Sequence, residues 1–412
     1  MVSVDSWVLG GRRTPQSLSA TAAISVEVAR GREAIDAIAG EWRALYALAS
    51  APEQVFLSPA WIETWYDHYM PAAGTSGDGS IVLVTCRQEG RLALVWPLVE
   101  TRRLGLKLLK WAGEPVSQYG DILVVQDRTT DDLLETAWEG ILSLGADALI
   151  LRKTRRNSQA AGFLLGKGAF ASEREAAPYI DLDGIRCPLA QAERYSAKDR
   201  KNRRRQRKRL SEIGPLGFRW LGPSATASLL ARHAVALKRT WLTSRGRISK
   251  AFTDQRIEGF LAAALSGDGN DLDGRVGVLD CDGRPAALLI GFLNRGYLAG
   301  YLTAYDAAFE RHGPGSLLFE DVIRSAIGEQ IVRVDLLAPA DAYKLDWASG
   351  MIEVEDLCLP LTVGGNIYTR LVQSRVRHSL KTGIDRLPPR LRRTLIALLS
   401  AIPAVIWSAS ES

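Results

Sequence analysis

Residues 297–327 read YLAGYLTAYDAAFERHGPGSLLFEDVIRSAI, and this stretch decides the fold class. It opens with an apolar, aromatic strand pattern through Tyr297, Leu298, Tyr301, Leu302 and Tyr305. It closes with an amphipathic helical pattern from Ser316 to Ile327, carrying Leu317, Leu318, Val322, Ile323 and Ala326 on one face. Between them lies Gly313-Pro314-Gly315-Ser316. Strand, glycine turn and helix together aim unsatisfied backbone N–H groups and the positive end of the helix dipole at one point, which favours an anion by about 0.3–1 kcal/mol at an exposed site. Pro-Gly before a helix is also a common turn, so the loop acquires meaning only from what surrounds it.

Outward from that loop, the second half reads as helix 224–241, helix 254–266, strands 274–280, 285–294 and 297–305, helix 316–327 and strand 332–338. The first half reads in a similar order: strand 24–28, helix 32–49, helix 59–69, a hairpin of 81–87 and 92–100 turning at Gln88-Glu89-Gly90-Arg91, strand 120–125, helix 131–144 and strand 148–152. Two helices, a meander, a helix and a strand thus occur twice, without a repeat at residue level. The expectation is an α/β (α+β) chain of two lobes, each a mixed twisted sheet flanked by helices. The divisions expected are a loose tail at 1–23, a first lobe at 24–189, a basic linker helix at 190–213, a second lobe at 214–362 and a basic, amphipathic helical extension at 363–412.

The chain of 412 residues is 47% hydrophobic and 24% charged, an ordinary globular composition with room for large cores. Its net charge of +6 is concentrated in 195–213, where Lys198, Arg200, Lys201, Arg203, Arg204, Arg205, Arg207, Lys208 and Arg209 crowd together. On a helix this run puts cations on every face, so it is expected to stay wet or to meet an anion. Cys86, Cys187, Cys281 and Cys358 form no C-x-x-C pair, and His68, His233, His312 and His378 form no ligand pattern. Reduced thiols, no metal and a cytoplasmic location are expected. The N-terminus lacks the apolar core of a signal peptide, and no segment reaches the roughly 18 apolar residues of a spanning helix.

A set of signposts extends the reading beyond the loop: Phe56-Leu57-Ser58-Pro59-Ala60-Trp61, Trp96-Pro97-Leu98, Gln118-Tyr119-Gly120-Asp121, the basic run ending at Leu210, Pro314-Gly315, and Tyr343-Lys344-Leu345-Asp346-Trp347. In this order, over roughly Ile24 to Thr362, they resemble the CelD/BcsL-type acetyltransferases of bacterial cellulose and exopolysaccharide synthesis. These belong to the GNAT superfamily and are similar in plan to the two-lobed Fem-type aminoacyltransferases. The resemblance implies tandem GNAT-like lobes and transfer from acetyl-CoA, or another acyl-CoA, to the nitrogen or oxygen of a sugar or polysaccharide intermediate. It implies donor binding at Arg311, His312, Gly313, Pro314, Gly315 and Ser316, beside splayed central strands.

One departure stands in the loop: Glu310 occupies a place where many GNAT loops carry Gln or Arg, so Arg311 is expected to supply the cation unless the contact is made by backbone alone. Tyr343 is the expected general acid toward the departing thiolate, its other reading being a packing residue beside Trp347. Lys344 either holds an anionic acceptor or pairs with Asp341 or Asp346. Asp306 and Asp335 are the candidate bases, with water as the alternative proton acceptor. Tyr301 and Tyr305 are expected as substrate-contacting cleft wall. The active cleft is expected in the second lobe. The C-terminal extension, basic and then apolar over Leu395–Trp407, suits either an anionic membrane surface or a docked terminal helix. Two alternatives stay open: an aminoacyl-tRNA-dependent transferase, the one reading with a nucleic-acid partner, and a non-catalytic adaptor that recruits a synthase to membrane.

Overall fold

The computed structural model describes residues 23–70, 79–247, 249–267 and 271–370. The tail at 1–22 and the basic and apolar stretch after Arg370, with its membrane reading, lie outside the described residues. After β1 (Ile24–Arg30), helix α1 (Gly31–Ala49) buries Ile35, Ile38, Trp42 and Leu45, the face given by their spacing. Helix α2 (Pro59–Tyr69) starts where its sequence dictates: Ser58 caps the Trp61 N–H, and Pro59, which has no N–H to satisfy, takes the first helical position. The hairpin of β2 (Ser80–Gln88) and β3 (Arg91–Arg103) turns through Glu89 and Gly90, both with positive φ.

Next come β4 (Leu106–Trp111), β5 (Leu123–Val124), α3 (Thr130–Ser143), β6 (Ala148–Arg155), α4 (Gln159–Gly166), β7 (Phe170–Asp181), α5 (Pro188–Glu193) and α6 (Ala197–Ser211). The second half supplies β8 (Leu216–Leu221), α7 (Ala225–Arg245), α8 (Lys250–Thr253), α9 (Arg256–Ala264), β9 (Asp273–Cys281), β10 (Arg284–Asn294) and β11 (Tyr297–Tyr305). It continues with α10 (Pro314–Gly328), β12 (Arg333–Asp335), α11 (Ala342–Leu345), β13 (Gly350–Pro360) and α12 (Val363–Ile367).

All these strands join one mixed sheet in the order β1-β2-β3-β4-β6-β13-β7-β12-β11-β10-β9-β8, with β5 paired to β3. Strands β7 and β13 are exchanged across the middle. The first-half strand β7 lies between β13 and β12, and the second-half strand β13 lies between β6 and β7. One large core, with Trp42, Trp61 and Phe260, runs unbroken under α1, α2, α7 and α9. On the other face, separate cores pack under α3 and α4 and under α10. The result is a mixed α/β architecture with helices on both faces of the sheet.

Three expectations change. The strand expected at 120–125 shrinks to Leu123–Val124 and a single bridge from Gly120 to Thr154. The strand expected at 332–338 ends at Asp335, because Leu337 turns into the left-handed region at φ 60. The basic run is not wetted on every face: Arg203 is buried, its guanidinium lying 4.9 Å from the Tyr195 ring and 4.6 Å from the Trp347 ring, and it reaches Glu320 at 3.3 Å. Arg207 pairs with Glu320 and Asp321 at 3.0 and 2.8 Å. The anions this run meets on its inner face are the carboxylates of α10.

Candidate active site

Strands β11 and β12 run parallel but pair only through Tyr297–Arg333, Leu298–Val334 and Ala299–Asp335. Beyond Ala299 they part, and a cleft of about 1130 Å³ opens in the fork. Its walls are residues 300–305 of β11, Leu336 to Pro339 after β12, the start of α10, the end of α7 and α11. The first half contributes as well, through Glu114, Gln118, Lys153, Glu173 and Glu175. The cleft is therefore shared between halves, a correction to its expected confinement to the second lobe.

At one end of the cleft, Gly313 takes φ 63 as the N-cap of α10 and offers no capping side chain. Pro314 follows with no N–H. Ser316 donates back to the Gly313 carbonyl at 3.1 Å, and no acid occupies the first turn. A Cβ on Gly313 would strike the end of Gln206, whereas one on Gly315 would meet only Tyr305 at 3.8 Å. The left-handed requirement thus falls on Gly313, while Gly315 keeps its amide open beside the cleft wall. Glu310, the loop's departure, is answered by α7. Its carboxylate accepts from Arg245 at 2.6 Å and from the Tyr305 hydroxyl at 3.1 Å, and Trp241 donates to that hydroxyl at 2.9 Å. The cation beside the loop is Arg245, which lines the cleft, whereas Arg311 is exposed and does not.

Gly313, Pro314, Gly315, Ser316, Tyr301, Tyr305, Tyr343 and Lys344 all face this one cleft. Tyr343 is 42% exposed and its ring lies 6.0 Å from that of Phe319, which also contacts Trp347. Desolvation, with Asp341 nearby, raises its phenol above the usual tyrosine value, so it holds its proton at neutral pH. Tyr301 donates to the Val116 carbonyl at 2.9 Å and packs edge-on to Trp61 and Phe292, which makes it wall. Lys344 pairs with neither Asp341 nor Asp346. Its ammonium donates to the carbonyls of Leu337 and Pro339 at 2.8 and 2.9 Å, and burial pulls its pKa down to about 8.

Four sequence candidates fall outside the cleft lining. Asp335 is buried, accepting from Arg155 at 3.0 Å, from the Tyr119 hydroxyl at 3.0 Å to both oxygens, and from the Leu337 N–H at 2.8 Å. Burial raises its pKa despite the Arg155 charge, and its lone pairs are engaged, so the structure gives it the place of a buried strut between halves rather than of a base. Asp306 caps the short helical turn at Ala307–His312 through the Ala308 N–H and meets Arg284 at 3.3 Å. Arg311 and His312 lie behind the loop, and His312 Nδ1 is buried without a hydrogen-bond partner among the described residues. Lys238 and Trp241 of α7 and Lys153 of β6 line the cleft but carry no motif, and their sequence signal is indistinguishable from that of any helix end or strand.

Comparisons with known proteins bear on the fold and on the enzyme class. Residues 197–345, which contain the fork, the loop and Tyr343, match the Acetyltransf_6 family model, described as an acetyltransferase (GNAT) domain. Over these residues the chain is similar to GNAT acetyltransferase domains. The enzyme class expected from the sequence, an acyltransferase, stands with it. No curated protein matches the chain by sequence. Among solved structures, FemX aligns with TM-score 0.56 at 10% identity, covering 81% of this chain and 98% of that one. L-PGS from Bacillus licheniformis aligns with TM-score 0.49 at 11% identity over 81% of this chain and 96% of that one. A tandem GNAT protein from the clavulanic acid biosynthesis pathway aligns with TM-score 0.44 at 16% identity over 82% and 98%. The likeness to FemX concerns the fold. The family's match begins at α6 and stops short of β13, so one exchanged strand lies on either side of it. Among the described residues, no helix is long and apolar enough to cross a membrane.

Proposed function

We propose that the protein transfers an acyl group, the acetyl group in the first instance, from acyl-CoA to a nitrogen or oxygen of a sugar or polysaccharide-synthesis intermediate. The observation that carries the donor half is the uncapped start of α10, with an open Gly315 amide and no first-turn acid, beside the β11–β12 fork. The acceptor class rests on the resemblance of the signposts from Phe56 to Trp347. Acyl-CoA would supply the acyl group as a thioester. The Gly315 amide and the dipole of α10 hold the pyrophosphate, and Arg245 offsets the charge of Glu310 there. The acceptor's lone pair attacks the carbonyl carbon, the new C–N or C–O bond forms and the C–S bond breaks. Tyr343 gives its proton to the departing sulfur, and the acceptor's proton passes to water, from which Tyr343 regains its own. The exposed edge of the cleft admits that water. Isothermal titration with acetyl-CoA tests the reading: saturable binding is expected, and its absence at millimolar donor overturns it.

A second reading is favoured by the FemX likeness and by α6, where Lys198, Lys201, Arg204, Arg205, Lys208 and Arg209 are exposed on a helix whose Asp199, Asn202 and Arg203 line the cleft. It takes aminoacyl-tRNA as the donor. It predicts RNA binding that weakens steeply with salt, with no CoA binding.

A further inference from the structure

Three lysines from three elements line the same cleft: Lys153 from β6, Lys238 from α7 and Lys344 from α11. None has a carboxylate within ion-pair distance among the described residues. Lys344 donates to two carbonyls, Lys153 donates to the Gln118 side-chain oxygen at 2.7 Å, and Lys238 lies 4.7 Å from the Trp241 ring centre. A desolvated ammonium without a counter-ion is costly, and three around one cavity is not how a solvated surface arranges charge. Burial lowers the pKa of each, and Lys344 is lowered further by the charges of Lys238 and Lys153.

Two backbone positions at this group are left-handed. Lys153 sits at φ 54, its N–H held by the Asp356 carboxylate at 2.9 Å, where the β6–β13 register slips. Leu337 sits at φ 60, turning its carbonyl to the Lys344 ammonium. Neither position carries a glycine, although left-handed backbone costs an ordinary side chain about 1–2 kcal/mol. Acids face the group without forming ion pairs with it: Asp341 acts on Lys238 and Lys344, and Asp335 on Lys344. Asp341 reaches Arg247 at 3.6 Å, and Asp356 reaches Arg152 at 4.0 Å. Glu114 and Glu175 act on Lys153 only at longer range.

We propose that Lys153, Lys238 and Lys344 form an anion subsite separate from the donor loop, and that it receives a phosphoryl group carried by the acceptor. Three point charges on flexible stems suit a phosphate dianion approached from several sides better than the planar, bidentate geometry of a carboxylate. The proposal rests on the acyl-transfer reading for the word acceptor, but the site itself does not require it.

Titration of the full chain with inorganic phosphate, read by broadening of the ³¹P line, tests the subsite, with acetate as competitor. Saturable broadening is expected, persisting when acetyl-CoA is present at saturation. Lys153→Gln and Lys238→Gln should each weaken it about tenfold to a hundredfold, the usual range for a lost hydrogen bond to a charged group. Gly315→Asp, which alters only the donor loop, should leave it in place. Lys153→Gln and Lys238→Gln keep the test valid should Lys344→Gln disturb the carbonyls it binds. Loss of broadening on adding acetyl-CoA would place the phosphate in the donor loop and overturn the proposal, as would acetate competing equally well or no saturation. If acetyl-CoA fails to bind while phosphate binds as described, the donor reading falls and the subsite stands.

Discussion

Tyr343→Phe keeps the ring against Phe319 and deletes only the hydroxyl. Under the general-acid role, turnover should fall by about 10²–10⁴ while the affinity for acyl-CoA stays within a few-fold, as steady-state kinetics beside a titration would show. Unchanged turnover would leave Tyr343 a wall residue. Lys344 yields a pH signature. Its folded pKa near 8 lies below its ordinary value of 10.5, so between these the unfolded chain binds the extra proton. Stability therefore rises with pH across that window, by about 3 kcal/mol from this group, and is lowest below pH 8 where the ammonium is forced to stay charged. Denaturation of the parent and of Lys344→Met at pH 7.5 and pH 10 should show the parent gaining on the variant; a constant gap would mean the ammonium is better solvated than the geometry implies. Arg155→Met leaves the Asp335 carboxylate buried without its cation, and should cost about 3–5 kcal/mol in urea denaturation without altering donor affinity. Both Asp335 and Lys344 are visible in the sequence, but not their partners. Tyr119 and Arg155 lie far away in the chain, and a carboxylate in a strand reads the same whether it meets an arginine or a substrate.

Elements were legible where a local rule sufficed. The Ser58-Pro59 start of α2, the Glu89-Gly90 hairpin and the apolar face of α10 are fixed by capping, positive φ and helical period. The strands β7 and β13 were not, because the polar run Ser172-Glu173-Arg174-Glu175 hides the first, and their pairing, from Gly350–Tyr179 to Cys358–Phe170, joins segments far apart in the chain. Gly313-Pro314-Gly315 is legible as a turn before a helix, and the left-handed residue in it is Gly313. Gly315 has ordinary helical backbone at the second position of α10, so an aspartate is tolerated there and its charge suits the positive end of the helix dipole. Gly315→Asp should therefore melt within a degree or two of the parent. A carboxylate about 4 Å from a phosphate, at an effective dielectric near 20, costs about 4 kcal/mol, so acetyl-CoA affinity should drop roughly a thousandfold. A variant that melts normally and binds acetyl-CoA like the parent would remove the donor loop from consideration.

On the scale of the molecule, two similar runs of elements could be read from the sequence, while the crossing of β7 and β13 could not. Each crossing strand sits next to its own half in the sequence, and nothing local tells it to pair with the other. A chain severed between Arg194 and Tyr195 would leave β6 and β7 parted by the missing β13 in one piece, and β13 and β12 parted by the missing β7 in the other. Expressed alone, each piece should aggregate through its open strand edges; expressed together, they should reassemble one to one and regain the parent's melting curve. Cooperative folding of either piece alone would contradict this. The same crossing governs motion. Many two-lobed enzymes close on their substrates by swinging about a flexible connection, but here the seam between halves is a ladder of backbone hydrogen bonds running from Gly350 to Cys358 against β7. The halves cannot rock without tearing that ladder. The cleft walls contributed by the two halves are thus expected to keep their spacing when the proposed acceptor binds. Small-angle scattering profiles with and without bound ligand should superimpose.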